Sequence, residues 1–217
     1  MSGFSSLFLN DDDDDEDLVE PRRVLSDNPE DFFAGQFLVA MPHIDDSRFE
    51  NAVVYLCAHN ASGAMGIVLN KEHDSVSLLD MFEQLDIQPN NGVLPGKQRN
   101  ALMDGGPVET SRGFVLHTLD YQHESTVEVS ENLGLTASVD ILNAINDGQG
   151  PNRYVIALGC SAWSGGQLEE EFLENTWLNV PADEALLFDL DRAKLWRASI
   201  TKLGIDPGLL HATAGSA

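Results

Sequence analysis

His117, Cys160 and Ser161 are the residues of this chain that most resemble parts of a nucleophilic site. His117 lies inside the apolar run Gly113-Phe-Val-Leu-His-Thr-Leu119, and Cys160 and Ser161 follow the run Arg153-Tyr-Val-Ile-Ala-Leu158. A histidine serving as acid and base to a thiol or hydroxyl is the pairing of nucleophilic catalysis. It requires the two runs to meet in space, which spacing alone does not establish. Gly159-Cys-Ser-Ala-Trp163 departs from the G-x-S-x-G elbow, because an indole stands where the last glycine belongs and crowds the turn. A lone histidine in an apolar strand is more often a core residue with its hydrogen bonding satisfied. Cys57 and Cys160, each in an apolar run, read first as buried thiols. No Cys/His spacing suggests zinc, and His43 with Asp45 and Asp46 lacks tight ligand spacing. No catalytic set, metal or cofactor is therefore expected. His59, His73, His123 and His211 stand in polar or turn contexts and are expected at the surface.

The most distinctive stretch is Leu158 to Asn175, LGCSAWSGGQLEEEFLEN. The apolar run before it reads as a buried strand that Gly159 breaks. Ser164 and Gln167 have the spacing of a capping box, so a helix is expected to start at Ser164. Leu168, Phe172 and Leu173 then fall on one side of it, and Glu169, Glu170, Glu171 and Glu174 mostly on the other. Glycines before a helix can cradle phosphate. Here neither nucleotide fingerprint is met, and three acids in the first turn repel an anion. The glycines read instead as room for Trp163. Trp163, Trp177 and Trp196 are expected to anchor the core.

The chain carries a formal charge of −24 over 217 residues. Residues 1–31 hold eleven acids against two arginines, and the seven consecutive acids from Asp11 to Asp17 read as a disordered acidic tail. The rest remains acidic, which argues against direct nucleic-acid binding and against anionic membrane surfaces. No apolar run is long enough to span a membrane and no signal peptide is evident, so a cytoplasmic protein is expected.

Residues 32–217 read as a single domain. Gly35–Met41, Asn51–Ala58 and Ala64–Leu69 read as strands, the last two as a hairpin around Asn60-Ala-Ser-Gly63. Ser77 caps an expected helix to Leu85, and 86–100 reads as a loop. Ala101–Met103 leads into Gly105-Gly-Pro-Val108, a sharp bend with backbone close to another element. Gly113–Leu119, Val127–Val129 and Leu133–Thr136 are further strands. Ser138 and Asp191 cap helices to about Asn146 and Leu203. Trp177–Val180 reads as an edge strand. Strands outnumber helices without alternating with them, which favours α+β.

Phe37-Leu-Val-Ala-Met-Pro42, Gly63-Ala-Met-Gly-Ile-Val-Leu-Asn70, Gly105-Gly-Pro-Val108, Phe114-Val-Leu-His117 and Trp163-Ser-Gly-Gly-Gln-Leu-Glu169 occur in that order, followed by Trp177. Together they resemble the YqgE/AlgH family of bacterial proteins, over about Phe32 to Ala217. The resemblance implies a bent, mixed, mainly antiparallel sheet forming a pseudo-barrel with flanking helices. It also implies the family's label of transcriptional regulator, which brings no established catalytic residues. The matching shared positions are Asn70, Gly105, Gly106, Pro107, His117, Trp163, Gly166, Gln167 and Glu169. Cys160 and Ala162 stand where the family usually has tyrosine and glycine. These positions suggest a functional surface formed by the Gly105–Val108 bend, His117 and the Trp163–Glu169 turn. The reading is of a regulatory or interaction protein acting through a protein partner or small ligand. The alternative is an enzyme with His117 as acid and base and Cys160 as nucleophile.

Overall fold

The computed structural model describes residues 33–90 and 101–210. The acidic tail, His211 and the second part of the 86–100 loop lie outside the described residues.

Among the described residues nine strands join one curled sheet with the order β6-β7-β5-β8-β3-β2-β1-β9, with β4 also on β8. In chain order they are β1 (Gln36–Ala40), β2 (Val53–Asn60), β3 (Gly63–Val68), β4 (Leu102–Asp104), β5 (Val108–Thr118), β6 (Val127–Glu128), β7 (Leu133–Thr136), β8 (Tyr154–Ser164) and β9 (Trp177–Pro181). All ladders are antiparallel except β4 with β8. The helices are α1 (Leu78–Gln84), α2 (Val139–Asn146), α3 (Gln167–Leu173), α4 (Glu184–Phe188), α5 (Arg192–Lys202) and α6 (Pro207–Leu210). Ser77, Ser138 and Asp191 cap α1, α2 and α5, as their spacing predicts. The fold is α+β, a half-barrel with helices on both faces.

Period-two alternation sorts the strands between the faces. Phe37, Val39, Val53 and Tyr55 point into the concave core, where Leu195, Trp196 and Ile200 of α5 cover them. Leu38, Ala40, Val54 and Leu56 point to the convex side and pack beneath α3 with Leu168. A second convex cluster joins α1 and α2 to Val115, Ile156 and Leu158. Trp196 spans the first face, its indole N–H donating to the Ala40 carbonyl at 2.8 Å.

The central strand differs from the expectation. Gly159 does not break it; β8 runs to Ser164. Gly159 takes φ +72°, a left-handed conformation open to glycine. The extra residue shifts the alternation by one. Before it, Val155 and Ala157 are concave; after it, Cys160 is concave and Trp163 convex. Two further irregularities lie in the same part of the sheet. The β2–β3 register shifts between Leu56 and Ala58, and residues 109–112 of β5 bulge between the pairs Val108–Cys160 and Gly113–Leu158. The sheet is creased here.

Helix α3 also begins differently. Its N-cap is Gly166, at φ +82°, not Ser164. Gln167 does reach back, as a capping box would have it: its Oε1 accepts from the Ser164 N–H at 3.0 Å. The Ser164 hydroxyl donates to the same oxygen instead of accepting a helix amide.

Candidate functional site

The bend at Gly105–Gly106 lies against the crease. A side chain at Gly105 would stand 2.2 Å from the Gly159 carbonyl, and one at Gly106 2.4 Å from the backbone of Cys160. The missing β-carbons let two backbones touch, as the two-glycine bend predicts. The Gly105 N–H donates to Leu158 O at 2.7 Å, and its carbonyl accepts from Val68 N–H at 2.9 Å. The bend thus joins β3, β4 and β8. Pro107 follows it and leads into β5.

Helix α3 is held by two carboxylates. Glu171 Oε2 accepts from the indole N–H groups of Trp163 at 2.8 Å and Trp177 at 2.6 Å, and Oε1 from Gln167 at 2.9 Å. The indoles meet edge to face, with centroids 5.9 Å apart. Glu169 lies 3.0 Å from His59 Nε2. His59 is buried, contrary to the expected surface position, and stacks on Phe33 at 5.6 Å. The β2 irregularity turns it towards the helix. Trp163, Gly166, Gln167 and Glu169 are therefore gathered in one cluster. Its central member, Glu171, escaped the sequence reading; the signal was its spacing of four residues from Gln167, which makes them neighbours on one helix face.

Asn70 and His117 lie elsewhere. Asn70 Oδ1 accepts from Val53 N–H and its Nδ2 donates to Asn51 O, both at 2.8 Å, fastening β3's end to β2's start. His117 is fully buried between the Thr118 carbonyl at 2.9 Å and the Thr136 hydroxyl at 2.8 Å. Burial holds its pKa below the ordinary value. It pairs with Tyr154, six residues along β8 from Cys160. That separation is roughly 20 Å of strand, so the two do not form a catalytic pair. The Cys160 thiol is pushed up to about 12, first by burial and then by Glu109. Burial likewise pushes Cys57 up. Both are free thiols. Among the described residues no cluster of three or more His, Cys, Asp or Glu could hold a metal.

A cavity of about 340 Å³ opens at the crease. It continues the core, since Cys57, Phe114, Leu135 and Cys160 belong to both. The β2–β3 hairpin forms one wall, with Asn60, Ser62, Gly63 and Met65; Val108, Glu109 and Arg112 form another. Ala162 and Trp163 of β8 complete it. Arg112 donates to Glu109 at 3.2 Å and lies 5.3 Å from the Phe114 ring centroid. Val108, at the end of the Gly105–Val108 bend, and Trp163 thus both line this cavity. The β5 bulge that supplies Glu109 and Arg112 was not foreseen, because its polar Glu-Thr-Ser-Arg run reads as ordinary loop.

The fold and site define a class: a half-barrel α+β protein with a creased sheet, two buried thiols and a lined cavity at the crease. A family profile described as AlgH-like matches residues 37–208. A UPF0301 protein of Rhodospirillum rubrum is 48% identical over 188 residues, covering 87% of this chain and 96% of its own. One from Methylocella silvestris is 45% identical over 190 residues, 86% of this chain and 92% of its own. The solution structure of the AlgH protein from Pseudomonas aeruginosa is 40% identical, with a TM-score of 0.68 over 89% of this chain and 100% of that one. A crystal structure of a Corynebacterium diphtheriae protein shares the fold at 17% identity, with a TM-score of 0.63 over 85% of this chain and 92% of its own. The chain belongs to the AlgH-like family.

Proposed function

We propose that this protein is a cytoplasmic, non-enzymatic regulator that works by binding a small molecule in the crease cavity rather than by contacting DNA. The observation that carries this reading is the cavity itself. It is concave, mostly apolar, and has a few polar groups among its lining, the form of a small-molecule site. Its lining includes Val108 at the end of the bend and Cys160, Ala162 and Trp163 of β8, from the stretches that stand out in the sequence. The two thiols that face it are protonated and serve as apolar wall. The net charge of −24 opposes a nucleic-acid surface. Native mass spectrometry of the full chain, gently purified from its host, tests the reading. A bound small-molecule mass is expected, and Ala162→Phe, which fills the cavity from its exposed rim, should remove it without unfolding the protein. A bound mass that survives Ala162→Phe in a folded chain would place the ligand elsewhere.

A second reading is a protein partner at α3. Leu173 is 84% exposed and is flanked by the exposed Glu170 and Glu174. An apolar knob ringed by acids suits a basic partner with an apolar pocket. Leu173→Ser should then weaken capture of that partner and leave the cavity's ligand in place.

A further inference from the structure

We infer that the cavity takes a small monocarboxylate with an apolar body, and that Arg112 recognises its charge. This rests on the cavity being a ligand site and adds the ligand's class. Arg112 stands in the β5 bulge with its side chain 11% exposed. One nitrogen, Nη1, donates to Glu109, and the guanidinium lies near the Phe114 ring. The other two nitrogens, Nε and Nη2, are sealed from solvent and have no hydrogen-bond partner among the described residues. Native proteins rarely bury such donors unpaired.

These two nitrogens form one edge of the guanidinium. Their N–H groups point the same way and are spaced to meet both oxygens of a carboxylate side-on. The chain shows this edge in use elsewhere: Arg48 Nε donates to Asp46 Oδ1 at 3.0 Å and Arg48 Nη2 to Oδ2 at 2.6 Å. Arg112 lines the cavity, but this edge of it is closed to water, so taking a carboxylate requires the guanidinium to turn the edge into the cavity.

Charge selects the class further. Arg112 is the one cation among the described residues lining the cavity, and Glu109 already offsets it in part. A monocarboxylate leaves the group singly negative. A phosphate dianion would leave it doubly negative, with no second cation to compensate. The rest of the lining includes Cys57, Met65, Leu135 and Cys160, which suit a hydrocarbon or aryl body.

The test is calorimetric titration of the full-length protein with octanoate, hydrocinnamate and indoleacetate, with octanol as the neutral probe. At least one carboxylate is expected to bind, and octanol more weakly than octanoate. Arg112→Met should cost that carboxylate roughly thirtyfold or more in affinity, the scale of truncating a buried charge partner. It should leave octanol unchanged. If Arg112→Met does not fold, Arg112→Lys replaces it; the charge is kept without the fork, and most of the preference for carboxylate should still be lost. Equal binding of octanoate and octanol, unchanged in the variant, would refute recognition by Arg112 while leaving the cavity a ligand site. No binding of any probe to the wild-type chain would overturn the proposed ligand class, whereas the cavity reading falls only if no bound mass is found or if it survives Ala162→Phe.

Discussion

Replacing Glu171 by alanine should destabilise the protein far more than a change on a half-exposed helix normally does. The carboxylate accepts three hydrogen bonds, two from indoles that are 7% and 3% exposed. A hydrogen bond to a charged group contributes about 1.5–3 kcal/mol when well buried. Water can reach this carboxylate, so each is taken nearer about 1 kcal/mol. Removing the acceptor also leaves two indole N–H groups that water scarcely reaches. The expected loss is about 2–4 kcal/mol, or a fall in Tm of roughly 5–12 °C for a domain of this size. Glu171→Gln keeps one acceptor oxygen for the indoles but sets an amide N–H₂ against Gln167, and should cost about half as much. The assay is thermal and urea unfolding followed by tryptophan fluorescence, with near-UV circular dichroism reporting the indole pair. A loss below about 0.5 kcal/mol for Glu171→Ala, the range of ordinary surface changes, with unchanged indole signals, would refute the account of α3 as a helix held through its own acid.

Three further outcomes follow from the geometry. Burial lowers the pKa of His117 in the folded state, so the unfolded chain binds the proton more readily as pH falls below about 6.5. Its share of stability is complete above that pH and declines below it; urea midpoints of wild type and His117→Gln should therefore differ in acid slope, the variant being the flatter. Gly106→Ala should cost at least about 3 kcal/mol, through overlap with Cys160 and strain at φ +144°. Gly166→Ala, at φ +82° in open space, should cost only about 1 kcal/mol, and equal losses in chemical denaturation would remove the steric argument. Cys57 and Cys160 should alkylate slowly in the native protein at neutral pH and quickly once unfolded, because burial keeps both thiols protonated. Mass-resolved labelling that finds Cys160 fast while the chain is folded would contradict that.

Much of this architecture was legible because its signals are local. The β2–β3 hairpin follows from two apolar runs around Asn60-Ala-Ser-Gly63, and three helices start where Ser77, Ser138 and Asp191 can cap them. What escaped depends on pairing between distant strands. Gly159 reads as a break in isolation; only partners on both sides of β8 make it a bulge within a continuous strand. The same holds for His59, which a register shift turns into the fold beside α3. The site was half legible. Trp163, Gly166, Gln167 and Glu169 stand together as their spacing suggests, and the Gly105–Val108 bend meets the same strand. His117 and Asn70 prove to fasten strands at other places. Arg112 could not be found from sequence, since its neighbours are polar and its burial comes from the walls that close around it.

The dependence of so many ladders on β8 has a consequence for how the chain is made. This strand pairs with β3, β4 and β5, all of which leave the ribosome long before it. Until Ser164 has emerged, those strands have open edges and no common partner. Non-local pairing of this kind is slow, and open edges invite association between chains. The nascent protein is thus a collection of hairpins awaiting one late segment, and a translation-arrest force sensor should register folding only after residue 164 has cleared the tunnel. Helix α3, pinned to Trp163 of β8 and Trp177 of β9 by its Glu171 carboxylate and to Ser164 by Gln167, acts as the latch that keeps the late strand from slipping once it has gone in.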